Sequence, residues 1–308
     1  MRKILCLFLF SILWIYPCPA SEAGDAESPK FLVVCTLFPQ YDFARNIAGD
    51  KASVIMLLPP GTESHTFDPR PGDILSLNRA DLFIYTGKEM EPWAERILGS
   101  LDNKSLIAVD ASAGAVLRKE EHERGHHEEG HRHEHDPHIW LDPILAATMV
   151  ENIKEGFCLL DPQNAPFYEQ NAKEYKERLF LLDRDLREAV RDGKRDVLFF
   201  GGRFAYLYFF ERYGLRYVSA YENCSTEGEP GIRRVAEVIR AMRREDARFI
   251  FHEEFSDPKV ARSIAEQTGA GLLLFRTAHN VTRDEFEKGT GFIDIMRANL
   301  ENIRKGLE

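Results

Sequence analysis

The sequence predicts an α/β fold of two lobes, each built on a parallel sheet, joined by one long helix. Three observations carry this reading. Short β-branched and aromatic runs alternate with helix-like segments on both sides of the chain's middle. Such alternation implies parallel strands with helices layered on them. Between the two alternating stretches, residues 163–192 contain no glycine, and no proline follows Pro166. A length of 308 residues, 44% of them apolar, supports a large core and about two domains.

In order, Phe31–Leu37 reads as a strand, Tyr41–Gly49 as a helix, and Ala52–Leu58 as a second strand broken by Pro59-Pro60-Gly61. Pro71–Asn78 is helix-like, Leu82–Thr86 a strand, Glu91–Leu98 a helix and Leu106–Val109 a strand. Asp142-Pro143 has the form of an N-cap followed by proline at the first helical position, opening an amphipathic helix over Pro143–Leu160. Asp161-Pro162 ends it. From Gln163 to Asp192, Tyr168, Ala172, Tyr175, Leu179, Leu182, Leu186 and Ala189 recur at three- and four-residue steps. That spacing is one helix of about 27 residues, roughly 40 Å long, stiff enough to act as a strut between lobes. Past Gly193 the alternation restarts: strands at Val197–Phe200, Tyr217–Ala220, Phe249–His252 and Gly271–Phe275, and helices at Phe204–Tyr213, Ile232–Glu245, Pro258–Gly269 and Phe292–Leu307. The expected divisions are a lobe over 30–162, a linker helix over 163–192 and a lobe over 193–308.

The first residues form a separate unit. Met1-Arg2-Lys3 is basic, Ile4–Tyr16 is an apolar run of about thirteen residues, and small residues follow at Cys18 and Ala20. This is the layout of a secretory signal over 1–20 with a polar linker at 21–29, and the apolar run is short for a membrane span. An uncleaved anchor and lipidation at Cys18 are the alternatives, and Ile15-Tyr16-Pro17 matches a lipoprotein signal poorly. Removing the signal leaves Cys35, Cys158 and Cys224, an odd count with no disulfide framework. Cys35 reads as a buried strand residue. Cys158 and Cys224 are one pairing the sequence leaves open. The formal charge of −10 argues against nucleic-acid binding, which needs a basic patch.

Six histidines from His122 to His135 are interleaved with acids and glycines, and a seventh follows at His138. The stretch has no apolar face to bury, so it is expected as a solvated, mobile loop over 120–137. A histidine-rich tract reads as metal binding, because neutral imidazole suits zinc and similar ions. Two motifs flank ordered segments. Pro59-Pro60-Gly61-Thr62-Glu63-Ser64-His65-Thr66-Phe67-Asp68-Pro69 follows a strand at its carboxyl end, where open α/β sheets bind ligands. In Asp136-Pro137-His138-Ile139-Trp140-Leu141-Asp142-Pro143, either Asp136 or Asp142 is placed to orient the imidazole. His252-Glu253-Glu254 is not the zinc-hydrolase motif, since position 256 is Ser256 and the segment ends a strand. Arg240–Arg248 reads as a solvated helix face.

These motifs, with the long helix and the closing Gly291–Leu300 segment, resemble the solute-binding proteins of ABC importers for zinc and manganese. The likeness covers Lys30 to Glu308. It implies a monomeric binding protein, exported to the periplasm or cell surface, that hands metal to a membrane permease, with the metal in the cleft between the lobes. It also implies His65 and His138 as ligands, and the His-rich loop is typical of zinc-specific members. The chain departs from the pattern at Arg203, where members commonly carry a third histidine; arginine keeps its proton and is not a ligand. His279 falls near a position that members fill with an aspartate and is expected to replace the missing ligand. Glu227 is expected to offer a carboxylate, Cys224 is the thiolate alternative, and Arg203 would pair with an acid. Three imidazoles with an oxygen favour zinc over manganese. The competing readings are a manganese or iron binder of the same fold, an exported zinc hydrolase using Glu63 or Glu227 as base, and a surface adhesin with an incidental metal.

Overall fold

The computed structural model describes residues 30–64, 67–119, 135–221 and 228–308. The predicted signal segment, residues 120–134 of the His-rich loop, His65, Cys224 and Glu227 lie outside them.

The first lobe runs β1 (Phe31–Cys35), α1 (Phe38–Ala48), β2 (Ala52–Met56), α2 (Pro71–Arg79), β3 (Leu82–Tyr85), α3 (Ala94–Ser100) and β4 (Ile107–Asp110). The four strands pair in parallel in the order β2-β1-β3-β4. The chain therefore leaves β1 to one side and returns on the other, which opens a crevice at the carboxyl ends of β1 and β3. Cys35 is fully buried in β1. Proline in the first turn starts α1 at Phe38, three residues before the position read from periodicity.

Helix α4 (Pro143–Leu160) leads through a short 3₁₀ turn into α5 (Ala165–Asp192), the long helix of 28 residues. All seven apolar positions read from its period are buried. Gly156 lets α4 lie close on the first sheet: a Cβ there would sit 2.6 Å from Val109 Cγ2.

The second lobe runs β5 (Val197–Phe200), α6 (Leu207–Tyr213), β6 (Arg216–Ser219), α7 (Ile232–Arg244), β7 (Phe249–His252), α8 (Lys259–Thr268), β8 (Gly271–Leu274), α9 (Arg283–Glu287) and α10 (Phe292–Gly306). Its sheet is also parallel, in the order β6-β5-β7-β8, and repeats the crossover between β5 and β7. Helix α10 turns back to pack on α5 and α1. One apolar cluster runs through both lobes, from Val33, Phe43 and Trp140, along the buried stripe of α5, to Phe200, Phe275 and Phe292. Among the described residues no helix is long and apolar enough to cross a membrane.

Candidate metal centre

His138 opens the 3₁₀ turn at Ile139–Leu141. Its side chain is fully buried, and Asp136 Oδ1 lies 2.7 Å from Nδ1 and accepts the His138 backbone N–H at 2.8 Å. A carboxylate at Nδ1 places the ring proton there and leaves the lone pair on Nε2. Of the two aspartates flanking the motif, Asp136 performs this task. It is 4% exposed, so the end of the stretch read as loop is packed into the protein. Asp142 instead caps α4 through Ile144 N–H and pairs with Arg212.

His279 lies in the segment after β8. Its Nδ1 is 2.5 Å from Thr277 Oγ1. The Thr277 hydroxyl donates to Glu254 Oε1 at 2.8 Å, so its oxygen is left to accept the His279 Nδ1 proton. The relay Glu254–Thr277–His279 thus fixes the same tautomer that Asp136 fixes in His138. Glu254 also accepts the backbone N–H groups of Thr277 and Ala278. Burial raises its pKa, and these hydrogen bonds oppose the rise. They hold Ala278 at φ +58, a left-handed conformation unusual for a residue with a side chain.

The two imidazoles meet edge to face, centroids 4.7 Å apart with planes at 88°. Trp140 packs on both, 5.4 Å from His138 and 5.2 Å from His279, and its Nε1–H donates to the Thr277 carbonyl at 2.8 Å. The His279 segment also reaches the first lobe directly. Its carbonyl accepts Phe38 N–H at 3.1 Å, and Val281 O accepts Gly61 N–H at 2.8 Å. The Asn280 amide donates to Pro59 O and Thr62 O at 2.8 and 3.0 Å. The loop that leads to His65 is therefore held by the residue next to His279.

Beside His279 a small cleft, with a cavity volume of about 30 Å³, is lined by Thr62, Glu63 and Ser64 from the first lobe and by Arg203, Glu253 and Thr277 from the second, among others. Arg203 Nη1 stands 3.7 Å from Glu63 Oε2 across it; Glu222 and Glu227, acids after β6 expected as its partners, lie outside the described residues. Gly201 and Gly202 let this loop pack tightly: a Cβ on Gly201 would lie 2.4 Å from Ala261 Cα, and one on Gly202 would lie 1.6 Å from Glu253 Oε2. His252 Nδ1 engages the Glu253 carbonyl at 2.9 Å. Among the described residues no three His, Cys, Asp or Glu side chains converge as a metal-binding group. The structure brings His138 and His279 together; His65 and Glu227, outside the described residues, it does not address. Thr277, Glu254, Asn280 and Trp140 were not anticipated as parts of the site, because each acts through a partner distant in sequence.

Residues 33–306 match the family described as zinc-uptake complex component A, periplasmic. The chain belongs to this family. Among its curated relatives is the high-affinity zinc uptake system protein ZnuA of Bacillus subtilis, 34% identical over 92% of this chain and 90% of that protein. The zinc-binding protein AdcA of Streptococcus pyogenes is 31% identical over 98% of this chain, which spans 61% of AdcA's length. The crystal structure of the metal-dependent lipoprotein YcdH of Bacillus subtilis superposes with a TM-score of 0.78 at 32% identity, covering 90% of this chain and 99% of that one. Family membership agrees with the two-lobed architecture, and zinc is the metal of the family. The chain is a zinc-uptake solute-binding protein.

Proposed function

We propose that the protein captures zinc outside the cytoplasm through His65, His138, His279 and Glu227 and delivers it to an ABC permease. The observation that carries the ligand assignment is the facing pair His138 and His279. Each ring has Nδ1 engaged, by Asp136 or by Thr277, so each presents Nε2 as a donor. Two imidazoles preset in this way need little reorganisation on binding, which is how a cleft gains affinity. His65 adds a third imidazole and Glu227 an oxygen, a donor set suited to tetrahedral zinc. The reading involves no chemical step. Export depends on the N-terminal segment, with cleavage near Ala20, and the exported protein acts as a monomer.

The test is a zinc and manganese titration of the mature protein lacking residues 122–135, against a competing chelator, alongside His279→Ala. Tight binding of one zinc equivalent that weakens at least a hundredfold in the variant supports the assignment. Tight zinc binding unmoved by the substitution would shift the ligand to another residue. Preference for manganese would overturn the cargo.

A further inference from the structure

The chain on either side of the histidine-rich stretch is held by a residue from beyond α5. Lys119 and His135 form an antiparallel bridge, and Arg118 and Asp136 meet next to it. Opposed residues in an antiparallel ladder can exchange two N–H···O bonds. Arg118 and Asp136 make one of them directly, with Asp136 N–H donating to Arg118 O at 2.8 Å. In place of the other stands the Tyr208 hydroxyl of α6. It accepts Arg118 N–H at 2.9 Å and donates to the Asp136 carbonyl at 2.7 Å. Tyr208 is 3% exposed, so bulk water does not compete for either contact. Three residues on, Glu211 lies 2.8 Å from Arg118 Nε, but both side chains are about half-exposed and such a pair contributes little. Helix α6 also packs against the 3₁₀ turn that follows His138. Asp136 is thereby fixed at its N–H, at its carbonyl and at its carboxylate, the last on the His138 ring.

We propose that Tyr208 is a positioning residue for zinc capture: its hydroxyl sets the main chain of Asp136, and through Asp136 it sets the His138 imidazole. The ligand ahead of α5 is thus completed by a residue beyond it. When the lobes part far enough to withdraw α6, Asp136 loses the donor on its carbonyl. The carboxylate behind Nδ1 then loosens, and zinc leaves more readily. Opening of the cleft and weakening of a ligand become one event, which suits a carrier that must bind tightly and then release. This inference rests on the reading above that His138 holds zinc.

Zinc dissociation from the loaded mature protein, followed by stopped-flow transfer to a fluorescent chelator, tests it. Tyr208→Phe keeps the ring and removes only the hydroxyl. It should release zinc roughly fivefold to tenfold faster, the range for a lost buried hydrogen bond. In an Asp136→Asn background the same substitution should change the rate by less than about twofold, because the carboxylate it positions is gone. A hydroxyl with a purely structural role would act equally in both backgrounds, and that result overturns the inference. So does a Tyr208→Phe rate within about twofold of wild type. Amide hydrogen exchange adds a measurement that needs no variant. The Arg118 N–H should exchange at least about tenfold more slowly in zinc-loaded than in metal-free protein. Equal exchange in the two forms overturns the coupling. His138→Ala separates this inference from the reading beneath it: zinc held as tightly as in wild type would remove His138 as a ligand, whatever Tyr208 does.

Discussion

Asp136 touches no solvent of consequence, yet it decides what His138 can do. Holding the proton on Nδ1 leaves Nε2 basic. Asp136→Asn replaces the carboxylate with a neutral amide and should weaken zinc binding roughly ten- to hundredfold, as loss of a partner behind a metal ligand does. Chelator competition reads this, and unchanged affinity would remove Asp136 from the assignment. Glu254→Gln acts on the other imidazole by the same route, and its effect should be largest on the zinc dissociation rate. Trp140 reports on both rings, since it contacts both. Its emission should change on zinc binding in wild type and lose that response in His138→Ala. At this scale the sequence was half legible. His138 stood out because it follows a histidine tract and precedes a helix cap, and His279 because it falls near a position that the resembled family fills with a ligand aspartate. The relay through Thr277 to Glu254 joins residues 23 positions apart. Only the pairing of the loops after β7 and β8 creates it, so no local pattern announces it.

The connecting segments at the carboxyl ends of the strands carry most of the departures from the periodicity reading. Residues 201–206 serve as the cleft loop, so α6 starts at Leu207 rather than Phe204. The turn after β3 is bent around Glu91, so α3 starts at Ala94 rather than Glu91. Helix α9 was missed although its capping box, Thr282 with Glu285, is written in the sequence; five residues give too little periodicity to notice. Glu91 is buried and accepts hydrogen bonds from Thr36 Oγ1, Thr86 N and Oγ1, and Gly87 N, tying the ends of β1 and β3. Burial pushes its pKa up to about 7, against the pull of those donors. A carboxyl whose folded pKa is raised contributes stability below its unfolded value that is lost as pH rises through the folded one. Between pH 4.5 and about 7 that loss is on the order of 3 kcal/mol. Thermal unfolding of metal-free protein at pH 5 and pH 8 should show a smaller difference in Glu91→Gln than in wild type. Asn280→Ala tests the neighbouring device. Freed from its two carbonyl contacts, the 59–64 loop should raise the entropic cost of zinc binding, seen by calorimetry as a less favourable entropy.

Across the whole molecule the architecture was legible because both lobes repeat one alternation and the strut keeps an uninterrupted period. What the pattern could not give is how firmly the lobes are fastened. Arg212 of α6 lies 2.9 Å from Asp183 of α5 and 3.2 Å from Asp142 at the head of α4, and Tyr213 and Arg187 add to Asp183. Removing Arg212 leaves the largely buried Asp142 without its cation and Asp183 with only Arg187 and Tyr213. Arg212→Ala should cost about 3 kcal/mol, the low end for a broken buried pair. For a protein of this size the melting temperature should then drop by about 5 °C. A drop of under a degree would mean that solvent already screens this junction.

The return of α10 binds the two lobes into one interior. Phe292, Ile293, Met296, Leu300 and Ile303 are buried in the same apolar cluster as Val33 and Phe43 at the other end of the chain. Phe292 N–H donates to Asp42 Oδ2 on α1, where Tyr175 of α5 also donates. The cluster shared by both lobes is therefore closed in part by residues 292–307. Loss of that helix would uncover Phe43 on α1 and the buried stripe of α5 together, so the two lobes share one lock.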